Sequence, residues 1–423
     1  MVFMKNLLST LELRLANLPV PVSVQLPSGE RIGAEDSAVQ LIFRSPKALA
    51  ALLDGQIGAI ASAIVEGWVD IQGKARDIMA AAAGLLQKDP TDDASSWLGK
   101  ALAKAKSAAL HTLTHDAQQI QFHYDLSDDF YALWLDARRV YSCAYYRDLN
   151  MSLAQAQEAK LDHICKKLKL QVGDRLWDVG AGWGGLIFWA AENYGVQAHG
   201  ITLSRNQHDY VQAQIAAKGL QGRVQIELRD YRQMQGVAAF DKIASVGMFE
   251  HVGSAHLPKY FQTLHQMLKP GGMALVHGIT AGGVGNAELG AGMGEFISRY
   301  IFPGGELMHI SRVLHDLAAS GLEMADTENL RPHYARTLWA WSDALEAQLP
   351  QAQQILTTQY DAEKAAKALR AYRLYLAGCA TGFERGWMAL DQILCIKPDG
   401  DLHRGVMDGS QSGYPFNREY IYR

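Results

Sequence analysis

Leu7, Leu8, Leu11, Leu15 and Leu18 recur at helical spacing and predict an amphipathic helix over residues 1–18, packed on its own domain. Val20, Val22, Val24 and Leu26 then alternate with polar or proline positions. Pro27-Ser28-Gly29 marks a turn, and Val39, Leu41 and Phe43 alternate again, so 19–44 reads as strands. Helical spacing returns over 46–66 through Leu49, Leu52, Leu53, Ile57, Ile60 and Ile64. Gly67 to Ile71 reads as a short strand and 75–86 as another helix. Residues 1–90 therefore predict a small α+β domain. A polar, alanine-rich stretch over 91–118, with Lys100, Lys104 and Lys106 on a solvated face, predicts a helical connector.

From residue 119 to 423 the pattern changes. A helix over 153–168 leads into the apolar run Leu176-Trp177-Asp178-Val179, a glycine turn, and a helix over 186–193. Strands at 197–201, 224–229, 240–246 and 273–279 follow, with helices at 205–218 and 256–267 and a turn at Leu268-Lys269-Pro270-Gly271-Gly272. Such alternation predicts an α/β, doubly wound, mostly parallel sheet. A glycine-rich segment over 282–294 interrupts it. Helices at 311–320, 334–349 and 362–380 and strands at 323–328 and 390–396 close the domain, with 282–385 as a helical insertion.

The 423 residues leave room for two or three domains. A formal net charge of −4 gives no footprint for nucleic acid. No apolar run reaches the roughly 20 residues of a membrane span, and Glu12 and Arg14 break any signal-peptide core. Cys143, Cys165, Cys379 and Cys395 are scattered, which argues against zinc, any other metal site and a disulfide framework, and points to the cytoplasm.

The chemistry centres on Asp178-Val179-Gly180-Ala181-Gly182-Trp183-Gly184-Gly185. Strand, glycine turn and helix together bring backbone close to a nucleotide-type cofactor. Gly180, Gly182 and Gly185 satisfy the dinucleotide fingerprint, yet a nicotinamide site wants a carboxylate near the end of the second strand. Here that strand ends Gly200-Ile201-Thr202-Leu203-Ser204. Asp178 at the end of the first strand, with Leu-Lys-Pro-Gly-Gly before the fifth, resembles S-adenosylmethionine (SAM) methyltransferases instead.

Several motifs occur together and in order: His123 to Tyr146, the glycine turn, Gly200 to Ser204, Phe249-Glu250-His251-Val252-Gly253, and Asn329-Leu330-Arg331-Pro332-His333-Tyr334. In these the chain, over about 119–398, resembles the cyclopropane-fatty-acyl-phospholipid synthase and mycolic acid cyclopropane synthase family. The resemblance implies a class I SAM methyltransferase fold, Rossmann-like. It implies transfer of a methyl group to the cis double bond of unsaturated phospholipid acyl chains, giving a cation that a bound bicarbonate deprotonates so that a cyclopropane closes. The bicarbonate would be held by Cys143, Glu250, His277, the backbone of Ile279 and Tyr334, with Glu250 protonated, accepting a hydrogen from the anion, or orienting His277. Tyr141 and Ser142 would meet the SAM carboxylate, and Asp178, Gly180 and Gly182 would line its methionine end. Thr202, Leu203 and Gln207 would hold the ribose side, and Asp230 and Tyr231 the adenine.

Tyr124, Phe130, Tyr131, Tyr145, Tyr146, Phe249, Tyr300 and Tyr334 are candidates to stabilise the cation. Phe296, Tyr300, Ile301 and Phe302 suit a mobile lid over the lipid tail. The family also implies a homodimer and peripheral contact with the inner face of the membrane. Residues 1–90, through the order of their elements and Glu66-Gly67-Trp68-Val69-Asp70, resemble a sterol-carrier-type lipid-binding domain. Gly278 stands where many relatives carry threonine, and Gly382 to Trp387 is compatible with relatives making methylene- or methyl-branched chains, so the product stays open. The competing readings are a small-molecule N-methyltransferase on the same fold and a lipid-binding or transfer protein without activity.

Overall fold

The architecture comes from a computed structural model, which describes residues 2–45, 48–91, 126–284, 289–399, 415 and 417–422. Most of the expected connector, together with His123 and Tyr124, lies outside the described residues. The chain divides into two compact units. One comprises residues 1–93, 288–303 and 338–387, and the other 94–287, 304–337 and 388–423. The stretch expected as one insertion in the catalytic domain is thus shared between them. Its helices from 338 onward gather with the N-terminal segment, and 304–337 stays with the second unit.

In the first unit β1 (Val22–Gln25), β2 (Arg31–Gly33), β3 (Val39–Phe43) and β4 (Val69–Gln72) form a sheet of order β2-β1-β3-β4. The alternation seen in the sequence is a burial pattern: Val39, Leu41 and Phe43 face the core, where they meet Leu11, Leu15, Leu52, Ile60 and Ile64. The single helix expected over 46–66 is two, Leu49–Leu53 and Ile57–Val65, separated at Gly55, whose φ is +67°. The residues expected to form a lid are packed within this unit. A Cβ on Gly58 would sit 1.9 Å from the Gly292 carbonyl oxygen, so only glycine lets the helix Ile57–Val65 meet that turn. The Tyr300 hydroxyl donates to Glu66 Oε1 at 2.9 Å, and the Phe302 and Tyr375 rings meet edge to face.

In the second unit β5 (Arg175–Val179), β6 (Gln197–Thr202), β7 (Val224–Leu228), β8 (Phe240–Val246), β9 (Leu268–Ala281), β10 (Glu323–Asn329) and β11 (Met388–Ile396) form one sheet of order β10-β11-β9-β8-β5-β6-β7. The pairs β5–β6, β6–β7, β5–β8 and β8–β9 are parallel, and β11 runs antiparallel to both its neighbours. Both faces of the central strands β5, β8, β9 and β11 are buried, which is why they read as near-continuous apolar runs, whereas the edge strand β10 has no buried residue. Leu275 and Leu394 pack with the helices Leu153–Lys167, Gly185–Tyr194 and Arg205–Ala217, whereas Val276 and Ile393 pack with Leu257–Met267 and Ile310–Ala319. The turn expected at 268–272 is instead the opening of β9. Leu268 pairs with Phe240, and Gly271 N–H donates to the Lys397 carbonyl, so Pro270 and Gly271 are absorbed as an irregularity in one long strand.

Candidate active site

The sheet order reverses at β5, which has β6 on one side and β8 on the other, and a crevice opens beyond the carboxyl ends of these strands. The glycine turn lines it. Gly180 has φ +88°, and a Cβ there would lie 2.7 Å from Met248 Cγ. Of the ten residues expected to hold the cofactor, nine line this one cavity: Tyr141, Ser142, Asp178, Gly180, Gly182, Thr202, Leu203, Gln207 and Tyr231. Asp230 is not among the lining residues. Its carboxylate caps the turn at Tyr231–Gln233 and grips Arg232, with Nη2 at 2.6 Å from Oδ2. Trp183 also lines the cavity, and its indole N–H donates to Asp128 at 3.1 Å.

Thr202 Oγ1 donates to Gln207 Oε1 at 2.9 Å and accepts from Ser204 N–H, so the second strand ends in a neutral, hydrogen-bonded pair. The helix Leu153–Lys167 opens with a capping box of Ser152 and Gln155 and supports the segment 140–144. Gln157 donates to the carbonyls of Val140 and Ser142, and Lys160 Nζ donates to Ser142 Oγ at 2.8 Å. Burial pushes Asp178 up to about 7, against the pull of Lys160, and draws Lys160 down to about 8.

The five residues expected to hold an anionic base fall into two groups. Cys143, buried, directs its thiol to the carbonyls of Ala144 and, at 3.9 Å, Leu330, whose carbonyl also accepts from Tyr334 N–H. Glu250 lies in the short helix Phe249–Val252, while His277 and Ile279 sit on β9. Leu330 N–H bonds to the carbonyl of Leu390, the strand partner of Ile279, and this backbone link connects the groups. Tyr300, expected beside the cation, belongs to the first unit and is bonded to Glu66 there.

Two of these groups have partners within the protein. Ile279 N–H, expected to bind the anion, donates to Glu250 Oε1 at 2.9 Å. His277 is oriented by Gln392, its partner across β11, whose amide nitrogen lies 3.1 Å from Nδ1. Donation from Gln392 leaves the ring proton on Nε2. Within this group three buried side-chain atoms lack a hydrogen-bond partner among the described residues, His277 Nε2, Glu250 Oε2 and Gln392 Oε1. Burial lowers the His277 pKa well below the ordinary range, pushes Glu250 up to about 7 and raises the Cys143 thiol. A neutral imidazole N–H and a neutral thiol are donors without charge, suited to an anion. Gly278 leaves room for this arrangement, since a Cβ there would meet the Phe249 ring at 2.4 Å and Glu250 Oε2 at 2.9 Å.

Behind Cys143 the Tyr145 ring lies stacked between His163, at 4.1 Å, and His333, at 4.8 Å. Glu328 accepts from Lys167 at 2.6 Å and bonds His163 at 2.8 Å. Gln392, Lys160 and Glu328 escaped the sequence reading. Gln392 had a visible signal, an amide within the apolar run Leu390 to Ile396. So had Lys160, which shares a helix stripe with Ala156 and Ile164.

Comparison with known proteins agrees with this geometry. The coclaurine N-methyltransferase bound to N-methylheliamine and SAH superposes with a TM-score of 0.61 over 81% of this chain and all of that one at 19% identity, which establishes the fold of the SAM-dependent methyltransferases. The mycolic acid cyclopropane synthase CmaA1, complexed with SAH and CTAB, is 36% identical, with a TM-score of 0.60 over 66% of this chain and 98% of that one. The family model for mycolic acid cyclopropane synthetase matches residues 111–393. Cyclopropane mycolic acid synthase 1 of Mycobacterium tuberculosis is 37% identical over 286 residues, 66% of this chain and 96% of the relative. A probable fatty acid methyltransferase of Pseudomonas putida is 39% identical over 418 residues, 99% of this chain and all of the relative. The chain belongs to the mycolic acid cyclopropane synthetase family of SAM-using, methyl-transferring synthases.

Proposed function

We propose that the protein transfers the methyl carbon of SAM to the cis double bond of unsaturated acyl chains in membrane phospholipids and that the product carries a cyclopropane ring. An unactivated alkene is a weak nucleophile, so much of the rate must come from alignment with the sulfonium methyl and from excluding water. Methyl transfer leaves positive charge on the chain. Aromatic faces such as Tyr131, Phe249 and Tyr334, all buried, stabilise a cation without adding to it. The proton lost from the new methyl group lets the ring close, and bicarbonate, when bound, supplies the base that accepts it.

The observation that carries this reading is the pair of buried, unpartnered atoms, His277 Nε2 and Glu250 Oε2. Desolvated polar atoms are costly unless a ligand completes them. His277 presents a proton from Nε2, Cys143 can turn its thiol proton to the anion, and Glu250 Oε2 shares a further proton with it. Ile279 holds Glu250 in place from the other oxygen. Phospholipid as acceptor implies contact with a membrane surface, and no described helix is long and apolar enough to cross one. The likeness to the probable fatty acid methyltransferase of Pseudomonas putida favours a second outcome of the same first step, a methyl- or methylene-branched chain.

The test is incubation of the full chain with SAM and phospholipids bearing cis-monounsaturated chains, followed by mass spectrometry. A gain of one CH2 with the alkene lost is the expected result. The same gain with an alkene retained establishes the branched product, and no lipid product at all overturns the reading.

A further inference from the structure

Lys160 has no part in the functions considered so far, and its placement is unusual. Its side chain is 2% exposed, on the buried stripe of the helix Leu153–Lys167, and it lines the same cavity as Tyr141, Ser142 and Asp178. Its ammonium has three protons to donate, and Ser142 Oγ, at 2.8 Å, takes one. Among the described residues no carboxylate lies within 4 Å of it. Asp136, the acidic group that acts on it most strongly, already accepts from the backbone N–H groups of Arg138 and Val140. Asp178, at the end of β5, is equally buried and forms no ion pair there. An ammonium and a carboxylate thus face one cavity without closing on each other.

We propose that Lys160 is the positive partner of the SAM α-carboxylate, acting together with Ser142, while Asp178 receives the α-ammonium. The amino-acid end of SAM carries these two opposite charges at a fixed separation, so one ligand satisfies both buried groups at once. Burial already presses each toward its neutral form, which an empty cavity tolerates and a zwitterion reverses. The arrangement would also commit the lysine charge to the carboxylate and not to the sulfonium, two methylenes beyond the α-carbon. A cation beside the sulfonium would instead favour the neutral product, SAH, over SAM.

The inference rests on SAM as the methyl donor and not on the acceptor lipid or the bicarbonate. Binding of SAM, SAH and decarboxylated SAM to the full chain is to be measured by calorimetry. Wild type should bind decarboxylated SAM at least about 10-fold more weakly than SAM, because a charged hydrogen bond is lost. Lys160→Met should weaken SAM and SAH alike by about 10- to 100-fold and change decarboxylated SAM by less than about 3-fold. Equal loss for all three ligands would make the lysine merely structural, and a gain for SAM relative to SAH would place its charge at the sulfonium; either overturns the proposal. Should Lys160→Met fail to fold, equal affinity of wild type for SAM and its decarboxylated form overturns it alone. Absence of a lipid product with these affinities intact would count against the proposed function and leave this assignment standing.

Discussion

Glu250 is 8% exposed and its carboxyl is pushed up to about 7 by burial. A carboxyl whose folded pKa lies above its ordinary 4.5 is fully stabilising below that value, and the contribution is lost as pH rises through 7. Glu250→Gln removes the ionisation and should therefore be more stable than wild type at pH 8, by about 1–3 kcal/mol, and nearly equal at pH 4.5. It should also lose lipid product while keeping SAM affinity; urea unfolding at the two pH values and calorimetry measure both, and a variant less stable at pH 8 would sink the account. Gln392→Leu frees the His277 tautomer and should cut product formation by about 10-fold or more with SAM affinity unchanged. A loss of SAM affinity would place Gln392 in the wrong site. These roles show what one chain discloses. Cys143, His277 and Glu250 could be named from the sequence only through the family resemblance, since no spacing of their own marks them. The bond from Ile279 to Glu250 was hidden, since any residue supplies a backbone N–H and only the register of β9 shows which one is taken. The close approach of Phe249 and Glu250 to Gly278 was hidden too, because a glycine does not say what fills its space.

At the scale of elements, alternation made the strands of the first sheet readable and apolar runs those at the centre of the second, while boundaries failed where pairing overrode local signals, as at Pro270 in β9. Helix Leu153–Lys167 ties two parts of the site together: it holds Ser142 through Lys160 and Gln157, and β10 through His163 and Lys167. Burial would raise the Glu328 carboxyl, but the His163 hydrogen bond and the Lys167 charge outweigh it and hold the group at about 2. A carboxyl depressed in this way stabilises above its ordinary 4.5 and loses that contribution as pH falls toward 2. Glu328→Gln strands the buried Lys167 ammonium and should cost about 2–4 kcal/mol at pH 7. The difference from wild type should shrink between pH 4.5 and 2. A difference in urea midpoints that stays flat across that range would show that the triad is not an ionic clamp.

At the scale of the whole molecule, every residue lining the SAM cavity lies between Arg139 and His251, within the second unit. Damage confined to the first unit should leave cofactor binding intact. Gly58→Ala forces a Cβ onto the Gly292 carbonyl and should destabilise the first unit by about 3 kcal/mol or more, while SAM affinity changes less than about 3-fold. Differential scanning calorimetry with and without SAM tests this, and loss of SAM binding by the folded variant would refute it. The division itself was only partly visible in the sequence, since contact between segments distant along the chain decides it and hydrophobic periodicity is blind to such partners. The position of β11 has one more consequence, for biosynthesis. The residues that line the cofactor cavity have all been synthesised once residue 251 is translated, whereas Gln392, which orients His277, follows about 140 residues later, at roughly 5–20 residues per second. During those seconds the chain carries every residue of the cofactor cavity but lacks the strand that orients His277, so the order of synthesis puts the cofactor side of the site ahead of β11.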